Sequence, residues 1–443
     1  MRFHGGIHPD YHKGATSGKK VEPLPPPELL YVPVSQHIGA PAEPLVAPGD
    51  KVALGQLIAK SEAQLTARIH APVSGTVREI APHPHPSGRR VQTIVIENDG
   101  LDTVSDEVRP CPKRPEDLTF DELVALARDA GIVGMGGAGF PAHIKLASAR
   151  GKIDTLLING AECEPYLTAD HRLMLEAPES ILFGADLLRR CFEMEQVQIC
   201  VEDNKPDAVA ALQAHLADFP GAEVIALHSK YPQGSEKHII KAVTGREVPS
   251  GALPADARCA VFNVDTCASL TRAFRKGLPV HKRIVTVSGG AVAQPKNLLC
   301  RIGTPFSELV AFCGGEQGPV GKVLMGGPMM GACQFDLAAP VIKTTSGLLL
   351  LPEEKPRPET HCIRCGRCVR ACPMGLAPLH LKRSLDCGEL DGAVRLGLRD
   401  CIECGCCAYV CPASLDLVAR FRVGKQQAVR QQKEREAAAS AEK

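Results

Sequence analysis

The chain has 443 residues, 44% of them apolar and 23% charged, with 51 basic and 50 acidic side chains for a net charge of +1. At about 100–200 residues per domain this length implies two to four domains. The balanced charge, the 4% aromatic content and the lack of Trp argue against a nucleic-acid footprint or a base-stacking platform. No apolar stretch reaches the roughly 20 residues that span a bilayer, and the opening residues lack the apolar core expected of a secretory signal.

Residues 1–29 carry Gly5, Gly6, Pro9, Gly14, Gly18 and a Pro-rich run from Pro23 to Pro27, and read as an extended arm. His4, His8 and His12 stand four apart, but Gly5, Gly6 and Pro9 oppose the helix that would gather them. Residues 30–110 are strand-like, with runs Leu30-Tyr-Val-Pro-Val, Lys51-Val-Ala-Leu, Gln56-Leu-Ile-Ala and Arg90-Val-Gln-Thr-Ile-Val-Ile separated by turn residues. The stretch Ala47–Ile58 followed by Ile69–Val77 resembles the biotinyl/lipoyl barrel-sandwich module. The linking segment Glu62-Ala-Gln-Leu-Thr-Ala-Arg has no Lys at the tip, so a structural relative is expected rather than a cofactor-bearing arm.

From 111 to 283 the pattern becomes α/β. Phe120, Leu123, Val124 and Ala127 make one helix face, and Ile181, Ala185, Leu188 and Phe192 make another. A third helix is predicted from an Asn204 cap, with a stripe of Val209, Leu212, Leu216 and Phe219. Strands are predicted at Thr155–Asn159, Val197–Val201 and Glu223–Leu227, and this alternation implies a parallel, doubly wound sheet. Residues 284–351 read as a smaller α+β unit, 352–422 as a Cys-rich module behind a charged linker (Pro352 to Pro358), and 423–443 as a polar tail that forms a frayed or partner-dependent helix.

Ten of the 19 cysteines lie between Cys362 and Cys411. Cys362, Cys365, Cys368 and Cys372-Pro, then Cys401, Cys404, Cys407 and Cys411-Pro, both follow the C-x₂-C-x₂-C-x₃-C-P run of two-cluster ferredoxins, in which the fourth Cys serves the other cluster. That rule assigns Cys362, Cys365, Cys368 and Cys411 to one [4Fe–4S] cluster and Cys401, Cys404, Cys407 and Cys372 to the other. Zinc ribbons use pairs rather than quartets ending in Pro. Cys387 and Cys406 fall outside the pattern. Two clusters imply one-electron transport and therefore a donor.

Gly131-Ile-Val-Gly134-Met-Gly136-Gly137-Ala-Gly139-Phe-Pro lies between two predicted helices, where glycines let amides approach a phosphate. Gly134-x-Gly136-x-x-Gly139 formally matches a dinucleotide fingerprint, although no strand precedes it. The segment resembles the flavin motif of the NADH-oxidising subunit of respiratory complex I, including the following Lys145. Asn159-Gly-Ala-Glu162-Cys-Glu164-Pro and Phe262-Asn263-Val-Asp-Thr266 are similar to that family's next motifs, and Tyr231-Pro-Gln-Gly234-Ser-Glu236-Lys237 to its element near the nicotinamide nucleotide. Met135 and Ala161 replace an Arg and an Asp of the family. With Gly5–Pro9, Gln36–Ala40, Gly245–Pro249 and Gly326–Gly331, the whole chain resembles the C subunits of Rnf (Rsx) ion-translocating electron-transport complexes.

The resemblance implies a multidomain α/β and α+β architecture: barrel-sandwich hybrid, Rossmann-like FMN/NADH domain, β-grasp (SLBB) unit and two-[4Fe–4S] ferredoxin-like domain. It implies FMN cradled by Gly134, Gly136, Gly137 and Gly139, with Lys145 as charge partner and Asn159, Asn263 and Thr266 alongside. Glu162 and Glu164 would face nicotinamide and flavin, or serve as carboxylates at a helix N-terminus. Glu236 and Lys237 would approach the nucleotide, and Cys163 reads as a small buried thiol. Hydride exchange requires no side-chain acid or base at the reacting carbon, so no catalytic side chain is expected. The implied activity is hydride exchange between NAD(H) and FMN, with single electrons relayed through two clusters. The implied partners are integral-membrane and iron–sulfur or flavin subunits, and indirectly ferredoxin, at the cytoplasmic side of the inner membrane. The alternatives are a non-catalytic iron–sulfur relay with a degenerate flavin domain, or a diaphorase subunit of a soluble hydrogenase or dehydrogenase.

Overall fold

The computed structural model describes residues 3–355 and 357–441. Residues 1–2 of the predicted arm, Pro356 of the linker and residues 442–443 of the tail lie outside the described residues.

Four short apolar runs, Thr155–Gly160, Val197–Glu202, Ala222–Leu227 and Cys259–Asn263, form a parallel sheet in the order 222–197–155–259. Successive side chains of a strand point to opposite faces. Leu156, Ile158, Ile199, Val201, Ala260 and Phe262 therefore pack into one core with the helices Pro178–Cys191 and Val264–Lys276. Leu157, Cys200, Cys259 and Val261 pack into a second with Ile239 and Ile240 of the helix Glu236–Thr244. The sheet is doubly wound as predicted. From Thr155–Gly160 the chain builds outward through two strands on one side, then returns to add Cys259–Asn263 on the other. Asn159 and Asn263 stand side by side in register at the carboxyl ends of the strands where the order reverses, the crevice in which such sheets bind ligands.

The predicted helix capped by Asn204 instead begins at Pro206, with Lys205 at the N-cap, and ends at Gln213; Leu216 lies in a separate 3-10 turn, Leu216–Asp218. Proline has no amide hydrogen to donate, so it suits a first helical turn. Residues Phe120–Asp129 form a helix opened by a capping box between Thr119 and Glu122. The Gly-rich segment runs from this helix to Ala142–Ala149, with only the Val133–Pro141 bridge as sheet character.

The barrel-sandwich strands, among them Leu29–Pro33, Gly75–Pro84 and Arg90–Asn98, close over Leu30, Val32, Ile58, Ile69, Ile94 and Ile96. The stretch where a lipoyl Lys would sit is pinned down. Ala40 N–H donates to the Leu65 carbonyl (2.9 Å), and Ala67 N–H donates to His37 Nε2 (2.9 Å).

The unit after residue 282 is a six-stranded sheet, and its edge is Val21–Pro23, paired in parallel with Lys296–Arg301. The described part of the predicted N-terminal arm is thus docked, through Gly6, Ile7 and Val21–Pro23 among others. His8 lies 5.9 Å from His228 and His12 stacks on Tyr166 at 4.9 Å, so the three histidines do not converge. The predicted tail also differs from expectation. A helix spans Leu417–Ala441, crossing residue 422, and buries Leu417 and Phe421 in the core of the Cys-rich module.

Candidate functional site

The Gly-rich loop is held from beneath. Met135 is buried; its amide donates to Thr266 Oγ1 (3.2 Å) and its carbonyl accepts from the Arg283 guanidinium (3.1 Å). Arg283 is itself buried and paired with Asp265 at 2.7 Å. Gly139 adopts φ +66°, and a Cβ there would stand 2.6 Å from Thr344. Its carbonyl accepts from Ile38 N–H of the barrel-sandwich (3.1 Å). At the loop's start, the buried Lys343 ammonium donates to the carbonyls of Gly131 (2.7 Å) and Arg68 (2.5 Å). Three domains therefore fix one loop.

The loop's crest is open. Gly136, Gly137 and Ala138 are exposed, and Gly137 takes φ +118° with nothing within 4 Å of its Cβ position. Among the described residues the amides of Gly136, Gly137, Ala138 and Gly139 donate to no protein acceptor. Free backbone amides on such a turn make an anion cradle, so the donor set fits the phosphate of FMN. The loop also lies over the switch point, because a Cβ on Gly136 would come within 3.7 Å of the Asn263 side chain.

The polar groups around the crevice hold one another. Asn159 donates to the Gly234 carbonyl (2.8 Å) and accepts from Ala161 N–H (2.9 Å). Asn263 caps the helix Val264–Lys276 through Asp265 N–H and donates to Asp170 (2.7 Å). Burial and the neighbouring Glu162 carboxylate push the Asp170 carboxyl up to about 7. Lys145, expected beside the phosphate, is paired with Glu236 and lies over the Phe262 ring at 5.4 Å. Lys237 is half-buried on the same helix as Glu236.

Of the two carboxylates expected to face the nucleotide, Glu162 is buried and accepts from the amides of Asp170 (2.9 Å) and His171 (3.3 Å). It is a carboxylate at the N-terminus of the helix Ala169–Glu176. Glu164 accepts from Met329 N–H (3.1 Å) and lies 3.5 Å from the Tyr231 hydroxyl oxygen, and burial pushes its carboxyl up to about 7. Cys163 is buried, which pushes its thiol up, and it accepts from Gly234 N–H (3.3 Å).

The two cysteine quartets repeat with an offset of 39 residues, and the backbone repeats with them. Arg364 and Glu403, Gly366 and Gly405, and Gly375 and Ser414 are all left-handed. Each first cysteine accepts an amide at 3.4 Å, Cys362 from Arg364 and Cys401 from Glu403, and Cys372 accepts one from Leu376 at the same distance. A cavity is lined by Cys372 together with Cys401, Cys404 and Cys407. The Cys372 thiol is pushed up by burial and by Cys404; the Cys368 thiol is pushed up by burial and by Cys411 and Cys362. The fourth cysteine of the first run thus lines one cavity with the second set. The donor chemistry, four thiols and sulfur-directed amides around one cavity, fits a [4Fe–4S] cube. Among the described residues no three His, Cys, Asp or Glu side chains close around a single-ion site.

The two sets differ in exposure. Cys362 and Cys365 are exposed, whereas Cys372, Cys404 and Cys407 are buried, Cys404 beside Cys163 and Tyr231 of the flavin domain and Cys407 within the module's own core. Tyr231 donates to the Cys404 carbonyl (2.8 Å), His238 meets the Pro373 carbonyl (3.2 Å), and Gly6 N–H donates to the Ala371 carbonyl (2.9 Å). Gly5 passes so close that a Cβ would stand 2.4 Å from the Cys372 carbonyl oxygen.

Several residues of the site carry no mark in the sequence. Lys13 donates to the carbonyls of Glu162 (2.8 Å), Glu164 (2.9 Å) and Leu167. Lys205 pairs with Glu202 at 2.6 Å with both side chains buried. Tyr231 lies in the stretch that is similar to a nucleotide element, which is the one available signal. Nothing local marks Asp170, Arg283 or Lys13.

An open amide cradle at the switch point of a doubly wound domain, joined directly to a paired cysteine module, defines a flavin and iron–sulfur electron-transfer protein. Models of four families match in order: the RnfC barrel sandwich hybrid domain over 1–101, the Nuo51 FMN-binding domain over 127–272, the SLBB domain over 284–332 and the 4Fe–4S dicluster domain over 361–415. The chain is 46% identical to the C subunit of the Na⁺-translocating ferredoxin:NAD⁺ oxidoreductase complex of Acetobacterium woodii, over 97% of this chain and 98% of that one. It is also 46% identical to the proton-translocating counterpart of Clostridium ljungdahlii (85% and 82% covered) and to the C subunit of the ion-translocating oxidoreductase complex of Rhodobacter capsulatus (95% and 82%). The chain belongs to the family of Rnf complex C subunits. An NAD⁺-reducing [NiFe]-hydrogenase structure shares the fold at TM-score 0.50 and 18% identity, covering 71% of this chain and 65% of that one.

Proposed function

We propose that this chain exchanges electrons with NAD(H) and carries them through two [4Fe–4S] clusters to the other subunits of an ion-translocating ferredoxin:NAD⁺ oxidoreductase complex. FMN bound at the cradle supplies the exchange between two-electron nicotinamide and one-electron iron–sulfur chemistry. The amides of Gly136 to Gly139 hold its phosphate. Thr266 and Arg283 fix those amides from below. Asn159, Asn263 and the Lys145–Glu236 pair line the crevice that would receive the flavin and nicotinamide rings, and Lys237 borders it. Glu162 and Glu164 shape the wall through the backbone groups they bind.

The observation that carries this reading is the join at Tyr231, where one side chain connects the flavin domain to the backbone of Cys404. On this reading the cluster of Cys372, Cys401, Cys404 and Cys407 lies beside the flavin domain and the cluster of Cys362, Cys365, Cys368 and Cys411 at the surface. Among the described residues no helix is long and apolar enough to cross a membrane. Attachment through the complex's integral subunits, on the cytoplasmic side of the inner membrane, is the arrangement this reading requires.

The test is reconstitution with FMN and iron, followed by the Cys372→Ser variant. The resonance of the inner cluster is expected to be lost although Cys372 lies in the first motif, while that of the outer cluster persists. Loss of the outer resonance instead would contradict the assignment.

A further inference from the structure

The two cysteine repeats share a backbone but not a surface. At the positions related by the 39-residue offset, the first repeat has Arg364, Arg367 and Arg370 where the second has Glu403, Cys406 and Tyr409. All three arginines are exposed, as are Ile363 and Val369 between them. In the second repeat Cys406 is buried, and Glu403 is neutralised by Arg422 and Lys425, each at 2.9 Å. Thr360–Cys372 holds three arginines and no acidic residue, with Glu359 on its flank. Among the described residues Arg364, Arg367 and Arg370 make no ion pair; Arg370 only reaches the Cys365 carbonyl at 3.4 Å. The exposed thiols Cys362 and Cys365 lie within this stretch.

We propose that this face is the docking surface for a protein partner with an acidic patch around its own redox centre. The inference rests on the proposed function, which makes the outer cluster the point of exchange. Unpaired arginines steer an oppositely charged partner, and the exposed apolar Ile363 and Val369 supply the close contact that a polar rim lacks. Arginine dominates such interfaces because its guanidinium meets carboxylates in a fixed fork. A lipid surface would satisfy the charge but accept no electron, so a protein is the occupant.

The experiment uses the full-length chain loaded with FMN and both clusters. The probe is the detergent-solubilised remainder of the complex, isolated without this chain. Binding of the wild type is compared with Arg364→Gln/Arg367→Gln/Arg370→Gln and with the matching triple Lys variant, across ionic strength. The Gln variant is expected to associate roughly tenfold more slowly at low salt and to lose most of the salt dependence, and the Lys variant to retain both. The inner cluster's midpoint potential and NADH-driven flavin bleaching are expected to match wild type, and loss of bleaching in the wild type itself would indict the function rather than this surface. Unchanged association of the Gln variant overturns the proposal, as does loss of the outer cluster's resonance in that variant. Binding to phosphatidylglycerol vesicles that depends on the arginines, with binding to the complex unaffected, would overturn it in favour of a lipid site.

Discussion

Thr266 and Glu164 show how single side chains serve this site without touching the reacting atoms. Thr266 accepts the buried Met135 amide. Thr266→Val leaves that amide unpaired at a cost of about 1–3 kcal/mol, and FMN retention in equilibrium dialysis is expected to fall roughly tenfold or more. Glu164, pushed up to about 7 by burial, holds its proton in the folded chain where an unfolded glutamate near 4.5 has lost it. Its contribution to stability is therefore full below pH 4.5, declines at up to about 1.4 kcal/mol per pH unit across the window, and is lost as pH rises through 7. Glu164→Gln is expected to remove this slope from thermal unfolding curves, along with the protonated-carboxyl infrared band at about pH 6. A band that persists would show that the proton lies elsewhere. At this scale the sequence was least legible. Lys145 meets Glu236 and Lys13 meets the 162–167 loop across 91 and about 150 residues, and no local pattern encodes such partners.

At the scale of elements, periodicity and spacing carried most of the information. The 39-residue offset between the quartets is visible in the text, and it returns as matched left-handed residues. Strands and helices of the flavin domain were legible from alternation and 3.6-residue stripes. The docking of the arm, and the start and packing of the terminal helix, were not, because both are polar segments ordered by what they pack on. Val21–Pro23 contributes only an edge strand, and the helix Leu417–Ala441 anchors through few apolar side chains. Phe421→Ala removes the largest of these and is expected to cost about 3–5 kcal/mol. The check is iron content after gel filtration, with the inner cluster lost before the flavin. Lys13→Met frees three carbonyls of the 162–167 loop, and hydrogen exchange there is expected to rise while the sheet stays protected.

Taken whole, the molecule is a series of modules that converge on two contacts. The barrel-sandwich, the SLBB sheet and the flavin domain meet at the Gly-rich loop through Ile38, Lys343 and Arg283. This gives a role to a lipoyl-like module without its lysine: it clamps the cradle. The flavin domain and the dicluster module then meet at Tyr231, with the arm's Gly5 and Gly6 packed alongside. The most direct measurement of the central claim is an anaerobic NADH titration of the FMN- and iron-loaded chain, followed by flavin absorbance and electron paramagnetic resonance. Flavin bleaching is expected together with reduced-cluster resonances, of which Cys372→Ser removes that of the inner cluster. A spectrum that NADH leaves unchanged, in protein shown to hold both FMN and iron, would contradict that claim.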